Sequence, residues 1–336
     1  GSIAIAPDGR VVEAISEASP SDVPAQGEPP AFKRIWSSFL GNNLDDWGNV
    51  LFDWYDGGKH HQHVAIFHDN KAISVWVDGA DVKAQMFASN GVKTGPEFTV
   101  STAAISPAWP RVYAMPNGRS VVIWQSTDNE GDVQGQVLKS QPGNLLGGQF
   151  TVNSVTEGFQ GWHRAIVFND NSFLVVWEDH SGSDGSGKGI VGQFFSPSGQ
   201  KTGSPYIVNS KTLGDQRLPD LAKIGEEESI VVVWVDATQG NVDEGHVYLR
   251  RFSRYMVPFN GVAEFDVNTH TAGDQADPVL ASPMVTNLTL GDGSFVAVWR
   301  SLGQGGEASG IYGQRYSVQG SKAGRNLSID LRHSSA

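Results

Sequence analysis

The chain has 336 residues, a formal net charge of -12 and no cysteine. Its acidity argues against nucleic acid, which needs a basic face to displace phosphate counterions. The missing cysteines exclude disulfide staples and thiolate metal sites. No apolar run approaches the roughly 20 residues of a membrane-spanning helix, so membrane insertion is not expected.

The first residues, Gly1-Ser2, read as a tag remnant, and an export signal could have stood before them. Residues 16–31 are rich in serine, proline and acid, the composition of an extended arm or linker. Phe32-Lys33-Arg34-Ile35-Trp36 has the pattern of a closing strand. Residues 1–36 are therefore expected to form an N-terminal arm able to close a ring, and 37–336 a single domain. The connection from Leu44 to His61 carries Trp47, Trp54 and Tyr55, an aromatic insertion of the kind that places function on a scaffold.

A repeat then dominates the chain. Its core strands are Ala72-Ile-Ser-Val-Trp76, Ser120-Val-Val-Ile-Trp124, Phe173-Leu-Val-Val-Trp177, Ile230-Val-Val-Val-Trp234 and Phe295-Val-Ala-Val-Trp299, with tryptophans 48 to 65 residues apart. Before each lies a short strand ending in a turn, such as His63–Phe67 before Asp69-Asn70; Asn117-Gly118 and Asp292-Gly293 are hairpin signals. After each comes a third strand with a small residue, as in Val133-Gln-Gly-Gln-Val-Leu138 and Ile311-Tyr-Gly-Gln-Arg-Tyr316. The small residue is expected to leave room for a neighbouring tryptophan. A fourth strand closes each unit, as in Phe150-Thr-Val152 and Leu327-Ser-Ile329. Four antiparallel strands repeated five times predict an all-β, five-bladed β-propeller. The alternative is six blades, with an N-terminal partial blade.

The phrases Phe295-Val-Ala-Val-Trp299…Gly310-Ile-Tyr-Gly-Gln-Arg-Tyr316 and Gly273-Asp-Gln275 resemble a repeat of large bacterial secreted proteins, FVVVW…GIYGQRF, found beside cadherin-like and RTX-type calcium-binding modules. The resemblance covers about residues 62–330 and departs in the first two copies, where Gly41-Asn42 and Ser106-Pro107 stand for Gly-Asp-Gln. It implies an extracellular or cell-surface adhesion module, within a larger polypeptide, and possible calcium as stabiliser.

The five repeated tryptophans read as core packing. Trp47, Trp54, Trp109 and Trp162 fall outside the repeated positions and are candidates for stacking on sugar rings. Gln160, Gln216 and Gln275 enter the first strands of three blades, with His163, Arg164, Arg217, Asp220 and Asp277 nearby. If those strands line a channel, these side chains ring one end of it and bind a ligand. Asp179, Asp184 and Asp236, on turns after the core strand, are candidate calcium ligands, because calcium takes about 6–8 oxygens. His60, His61 and His63 could form half a metal site.

A carbohydrate-binding, lectin-like adhesion module is the preferred reading. The alternatives are a glycan-processing enzyme, hydrolase or lyase, and a structural spacer of a surface protein. For the enzyme, Asp220 and Asp277 are the candidate carboxylate pair, with Glu97 or Glu178 assisting. Repeat similarity favours the scaffold over the catalyst.

Overall fold

The computed structural model describes residues 2–5, 11–17, 34–40, 59–102, 106–128, 130–237, 245–259, 264–282, 293–304 and 309–329, with side chains from residue 61 onward. Trp47 and Trp54 lie outside the described residues.

Three N-terminal strands pair antiparallel in a sheet of their own: β1 (Ser2–Ile5), β2 (Val11–Glu17) and β3 (Arg34–Leu40). The segment expected as an arm therefore contains paired strands, with β3 running from Glu17↔Arg34 to Val11↔Leu40 against β2.

Five four-stranded antiparallel meanders follow. The first is β4 (Lys59–Ile66), β5 (Ala72–Asp78), β6 (Asp81–Phe87) and β7 (Lys93–Thr99). The second is β8 (Pro107–Ala114), β9 (Ser120–Ser126), β10 (Val133–Leu138) and β11 (Leu145–Thr151). The third is β12 (Gln160–Val167), β13 (Phe173–Asp179), β14 (Gly189–Phe195) and β15 (Lys201–Ile207). The fourth is β16 (Asp215–Ile224), β17 (Ser229–Ala237), β18 (Gly245–Phe252) and β19 (Phe265–Asp266). The fifth is β20 (Gln275–Ala281), β21 (Phe295–Leu302), β22 (Ser309–Tyr316) and β23 (Lys322–Ile329). They are the five blades of a β-propeller, as the repeat predicts.

Each conserved-looking phrase of the repeat resolves into a hydrogen bond that a blade needs. The second strands β9, β13 and β17 are buried at every residue, so their β-branched side chains pack on both faces and their tryptophans leave water completely or nearly so. An indole N–H buried this way must find an acceptor. Trp177 Nε1 donates to Gln160 Oε1 at 2.8 Å, and Trp299 Nε1 donates to Gln275 Oε1 at 3.2 Å. The third-strand glutamines repair a different gap. The ladder between third and fourth strands skips a residue at Gln85, Gln136 and Gln314. There the side-chain amide donates to carbonyls on both strands, for example from Gln136 to Val137 O (3.0 Å) and Leu146 O (3.2 Å). The Val-Asn pair after the fourth strand closes the blade: Asn153, Asn209 and Asn268 accept from the N–H of Val133, Ile190 and Val247.

The small third-strand residue has another neighbour than expected. A Cβ on Gly135 would lie 2.5 Å from Phe150 Cζ and 3.0 Å from Ile123, with no tryptophan atom among the nearest three. Gly192 is looser, its nearest neighbour being Val176 at 3.4 Å.

The chain divides into two compact units. One comprises residues 1–154, 167–173 and 195–202, the other 155–166, 174–194 and 203–336. In the first, the core joins the first two blades through Ile73, Val75, Val82, Met86, Val122 and Trp124. Phe150 of β11 also meets Phe195, which stacks on Phe173 at 5.0 Å between ring centroids. The second unit repeats the pattern. Phe265 of β19 meets Tyr316, which stacks on Phe295 at 5.1 Å, beside Val233, Leu249 and Trp299. A blade is thus finished by an aromatic from the fourth strand of the blade before it. Burial of the Tyr316 ring pushes its hydroxyl pKa well above the ordinary range.

Two expectations follow. Gly135→Ala forces Phe150 out of its contacts with Phe173 and Phe195 and should cost about 1–3 kcal/mol of unfolding free energy, while Gly192→Ala should cost well under that; equal urea midpoints for the two variants would contradict this packing. The second blade has Pro107 opposite Ser126 where the fifth has Gln275 opposite Ser301, and Trp124 Nε1 has no acceptor among the described residues. Pro107→Gln should supply one and raise stability by about 1 kcal/mol, read as a higher denaturation midpoint.

Candidate functional site

With the repeat residues engaged inside blades, the first strands are where the blades break pattern. Four of the five first strands show the same register slip against the second strand: between His60 and His63, Ala108 and Arg111, Arg217 and Asp220, and Ala276 and Val279. At the corresponding residue of all five blades a non-glycine side chain sits in the left-handed region: His61 (φ 56°), Trp109 (47°), Trp162 (52°), Leu218 (54°) and Asp277 (52°). Such backbone costs of order 1–3 kcal/mol per residue and concentrates at functional sites. A bulge also re-aims side chains. Here it turns the bulged residue outward and the next one inward, so that Trp109 and Trp162 are each 39% exposed while Pro110, His163, Pro219 and Pro278 are buried.

In the first unit the ring of His61 lies 4.9 Å from that of Trp109, and His63 Nδ1 accepts from the Val112 N–H at 3.3 Å.

The second unit gathers the richer chemistry. Asp220 accepts from the Leu280 N–H at 2.8 Å and pairs with Arg164 at 3.4 Å, tying three blades together. Asp277 is 61% exposed on its side chain and pairs with Arg300 Nε at 2.9 Å. Asp274 lies 3.9 Å from Arg217 and 3.6 Å from Arg300. Glu178, directly after Trp177, is almost fully buried. Its Oε2 accepts from the N–H of bulged Leu218 at 3.0 Å. Its Oε1 holds His180 Nε2 at 2.6 Å, with Lys188 Nζ at 3.6 Å. The imidazole of His180 packs on Phe159, 4.8 Å between centroids.

The predicted site residues therefore separate. Trp109, Trp162, Arg164, Arg217, Asp220 and Asp277 stand at or beside the bulges, partly open to solvent. Gln160, Gln216 and Gln275 do not: all three are 0% exposed. Their amides serve the blade interior, Gln160 bridging Trp177 and Asp179, so a ligand-binding role for them is corrected to a structural one. His163 is likewise buried, at the inward-turned position. The candidate calcium ligands are engaged by neighbouring protein groups. Asp179 accepts from Gln160 and the Ser181 N–H, and Asp184 from the Ser186 N–H and Asn209. Burial pushes the pKa of Asp236 up, against the opposing bond from Gln216. Among the described residues no group of three or more histidines and acids is placed to hold a metal ion. Sequence reasoning missed His180 and Lys188. The available signal was the two-residue spacing of Glu178 and His180, which puts both on one face of an extended chain.

No family model matches this chain, and no curated protein matches it in sequence. Solved structures resemble it in fold. A protein of unknown function from Dyadobacter fermentans superposes with a TM-score of 0.58 at 10% identity, covering 94% of this chain and 92% of that one. Penicillium chrysogenum alpha-L-arabinanase, complexed with arabinobiose, gives 0.55 at 11% identity over 81% and 80% of the two chains. A polysaccharide lyase of family PL25, an ulvan lyase bound to -[GlcA(1-4)Rha3S]-, gives 0.51 at 12% identity over 78% and 69%. At these identities the likeness is one of fold.

The bulge geometry is directly testable. Trp162→Gly and Trp162→Ala remove the same indole, but only glycine accepts φ 52° without strain. The glycine variant should be the more stable by about 1 kcal/mol; an alanine variant of equal or greater stability would show that the bulge stores no strain.

Proposed function

We propose that this protein is a glycan-processing enzyme whose site lies at the first-strand bulges. The observation that carries the reading is the outward indole of Trp162, held on strained backbone in the unit that also contains the Glu178–His180 pair. An indole face fixed in this way is a stacking platform for a sugar ring, and rigid placement spares the entropy of ordering it on binding. Trp109 offers the same surface in the first unit. The reading is supported by the fold shared with an arabinanase complexed with arabinobiose and with a lyase bound to a sulfated glycan, which favours processing over the adhesion expected from the repeat. A polymeric substrate fits an extracellular or cell-surface setting. Among the described residues no helix is long and apolar enough to cross a membrane.

The test is incubation of the purified protein with a panel of neutral and acidic polysaccharides, with product size followed by chromatography. Shortened chains are expected, and Trp162→Gly should raise KM about tenfold, equivalent to ~1.4 kcal/mol of lost binding. Tight binding to a glycan with no shortening of any panel member would return the adhesion reading.

A further inference from the structure

The carboxylates beside the bulges are poorly placed for a two-carboxylate hydrolysis. That chemistry needs one acid to hand over a proton while a second attacks or activates water. Asp220 is bonded to Arg164 and to the Leu280 N–H, Asp277 to Arg300, and Glu178 to His180 and the Leu218 N–H. Glu178 is moreover buried, and reaches solvent only through its partners. The group presented in its place is an imidazole.

The contact from Glu178 Oε1 to His180 Nε2 is 2.6 Å. A carboxylate there fixes the tautomer with the proton on Nε2, which leaves the lone pair on Nδ1 to accept a proton. The carboxylate also stabilises the imidazolium formed when Nδ1 is protonated, the role an acid plays behind a histidine base. The side chain of His180 is 26% exposed, so the base is reachable from solvent. Lys188 adds a cation next to it. Its side chain is 32% exposed, and its ammonium pairs loosely with Glu178 at 3.6 Å and Asp215 at 3.8 Å. An imidazole base beside an ammonium held only at ion-pair distance suits a substrate that carries a carboxylate next to an acidic C–H, because that carboxylate can take the closer contact.

Resting on the glycan-processing reading, we propose that His180 is the base of a β-elimination on uronate-containing glycans, positioned by Glu178, with Lys188 binding the uronate carboxylate. His180 Nδ1 takes the C5 proton, which the neutralised carboxylate makes acidic. The C5–H electron pair becomes the C4–C5 double bond as the C4–O4 bond breaks. The imidazolium returns the proton to the departing O4, so no water or other co-reactant is consumed. The groups facing His180 are Glu178, Lys188 through the same carboxylate oxygen, and the uncharged Phe159 ring.

The experiment follows the ultraviolet absorbance of the 4,5-unsaturated product from polyuronates and from mixed uronate glycans, alongside a reducing-end assay on the same samples and on neutral polysaccharides. Unsaturated product is expected from at least one uronate glycan. His180→Asn should lower kcat at least 100-fold with an unchanged melting temperature, and free imidazole should partly rescue His180→Gly. Glu178→Gln should lower kcat with KM and the melting temperature unchanged, and Glu178→Asp should restore part of the loss; a merely structural role would lower the melting temperature without this split. Lys188→Met should raise KM for uronates and spare any binding of neutral sugars. Reducing ends without unsaturated product would overturn the elimination and leave glycan processing standing. Full activity in His180→Asn would overturn the assignment of the base. No cleavage of any glycan would overturn both.

Discussion

An indole N–H that has been taken out of water must be given an acceptor, and the repeat is organised around that requirement. Placing a buried tryptophan on the second strand supplies a large apolar surface to the blade interior. The same placement is met by a glutamine at the head of the adjacent first strand, one hairpin earlier, where the Oε1 of Gln160 or Gln275 accepts the indole hydrogen bond. The glycine and aspartate that precede Gln216 and Gln275 belong to the same device. Asp215 and Asp274 accept from the N–H of Lys188 and Gly245 and so tie the loop to the third strand. Recurrence of these phrases reflects unmet hydrogen bonds, and carries no information about a ligand.

Function is then left to the residues that this scaffold does not use. The bulge at the head of each first strand has a left-handed residue in all five blades but four residue types among them: two tryptophans, a histidine, a leucine and an aspartate. Uniform strain combined with varied chemistry is what a ligand-facing position on a repeat should show. Packing narrows the choice more, as at the neighbouring buried position, where three of the five blades have proline. The Glu178 carboxylate shows how scaffold and site meet. One oxygen holds the backbone of bulged Leu218 and the other orients His180, so the geometry of the base depends on the bulge being formed.

Much of the fold was legible because periodicity is global: the five core strands, the hairpins and the closing strands all fall where the repeat places them. Of the three-stranded N-terminal sheet only the third strand left a trace, in the closing-strand pattern of Phe32–Trp36, because the other two belong to no repeat. The site was half legible. Trp109 and Trp162 stood out by breaking the repeat. The glutamines misled, because an amide before a strand reads as solvent-facing and only the three-dimensional ladder reveals the indole it serves. The bulges were hidden because a left-handed tryptophan or aspartate leaves no local signature; the prolines at 110, 219 and 278 were the one trace. Blade exceptions were informative in the other direction: the missing glutamine of the second blade, visible as Ser106-Pro107, corresponds to the indole of Trp124 left without an acceptor.

The central claim is that the repeated tryptophans build the blades while the bulged ones face the ligand, and the indole Nε1 resonances of the ¹⁵N-labelled protein report on both at once. On titration with an oligouronate, the resonance of Trp162 should shift. Those of Trp76, Trp124, Trp177, Trp234 and Trp299 should stay in place and exchange slowly with deuterium, at rates set by opening of the blades. Shifts concentrated on the five repeated indoles, with Trp162 unmoved, would contradict the account.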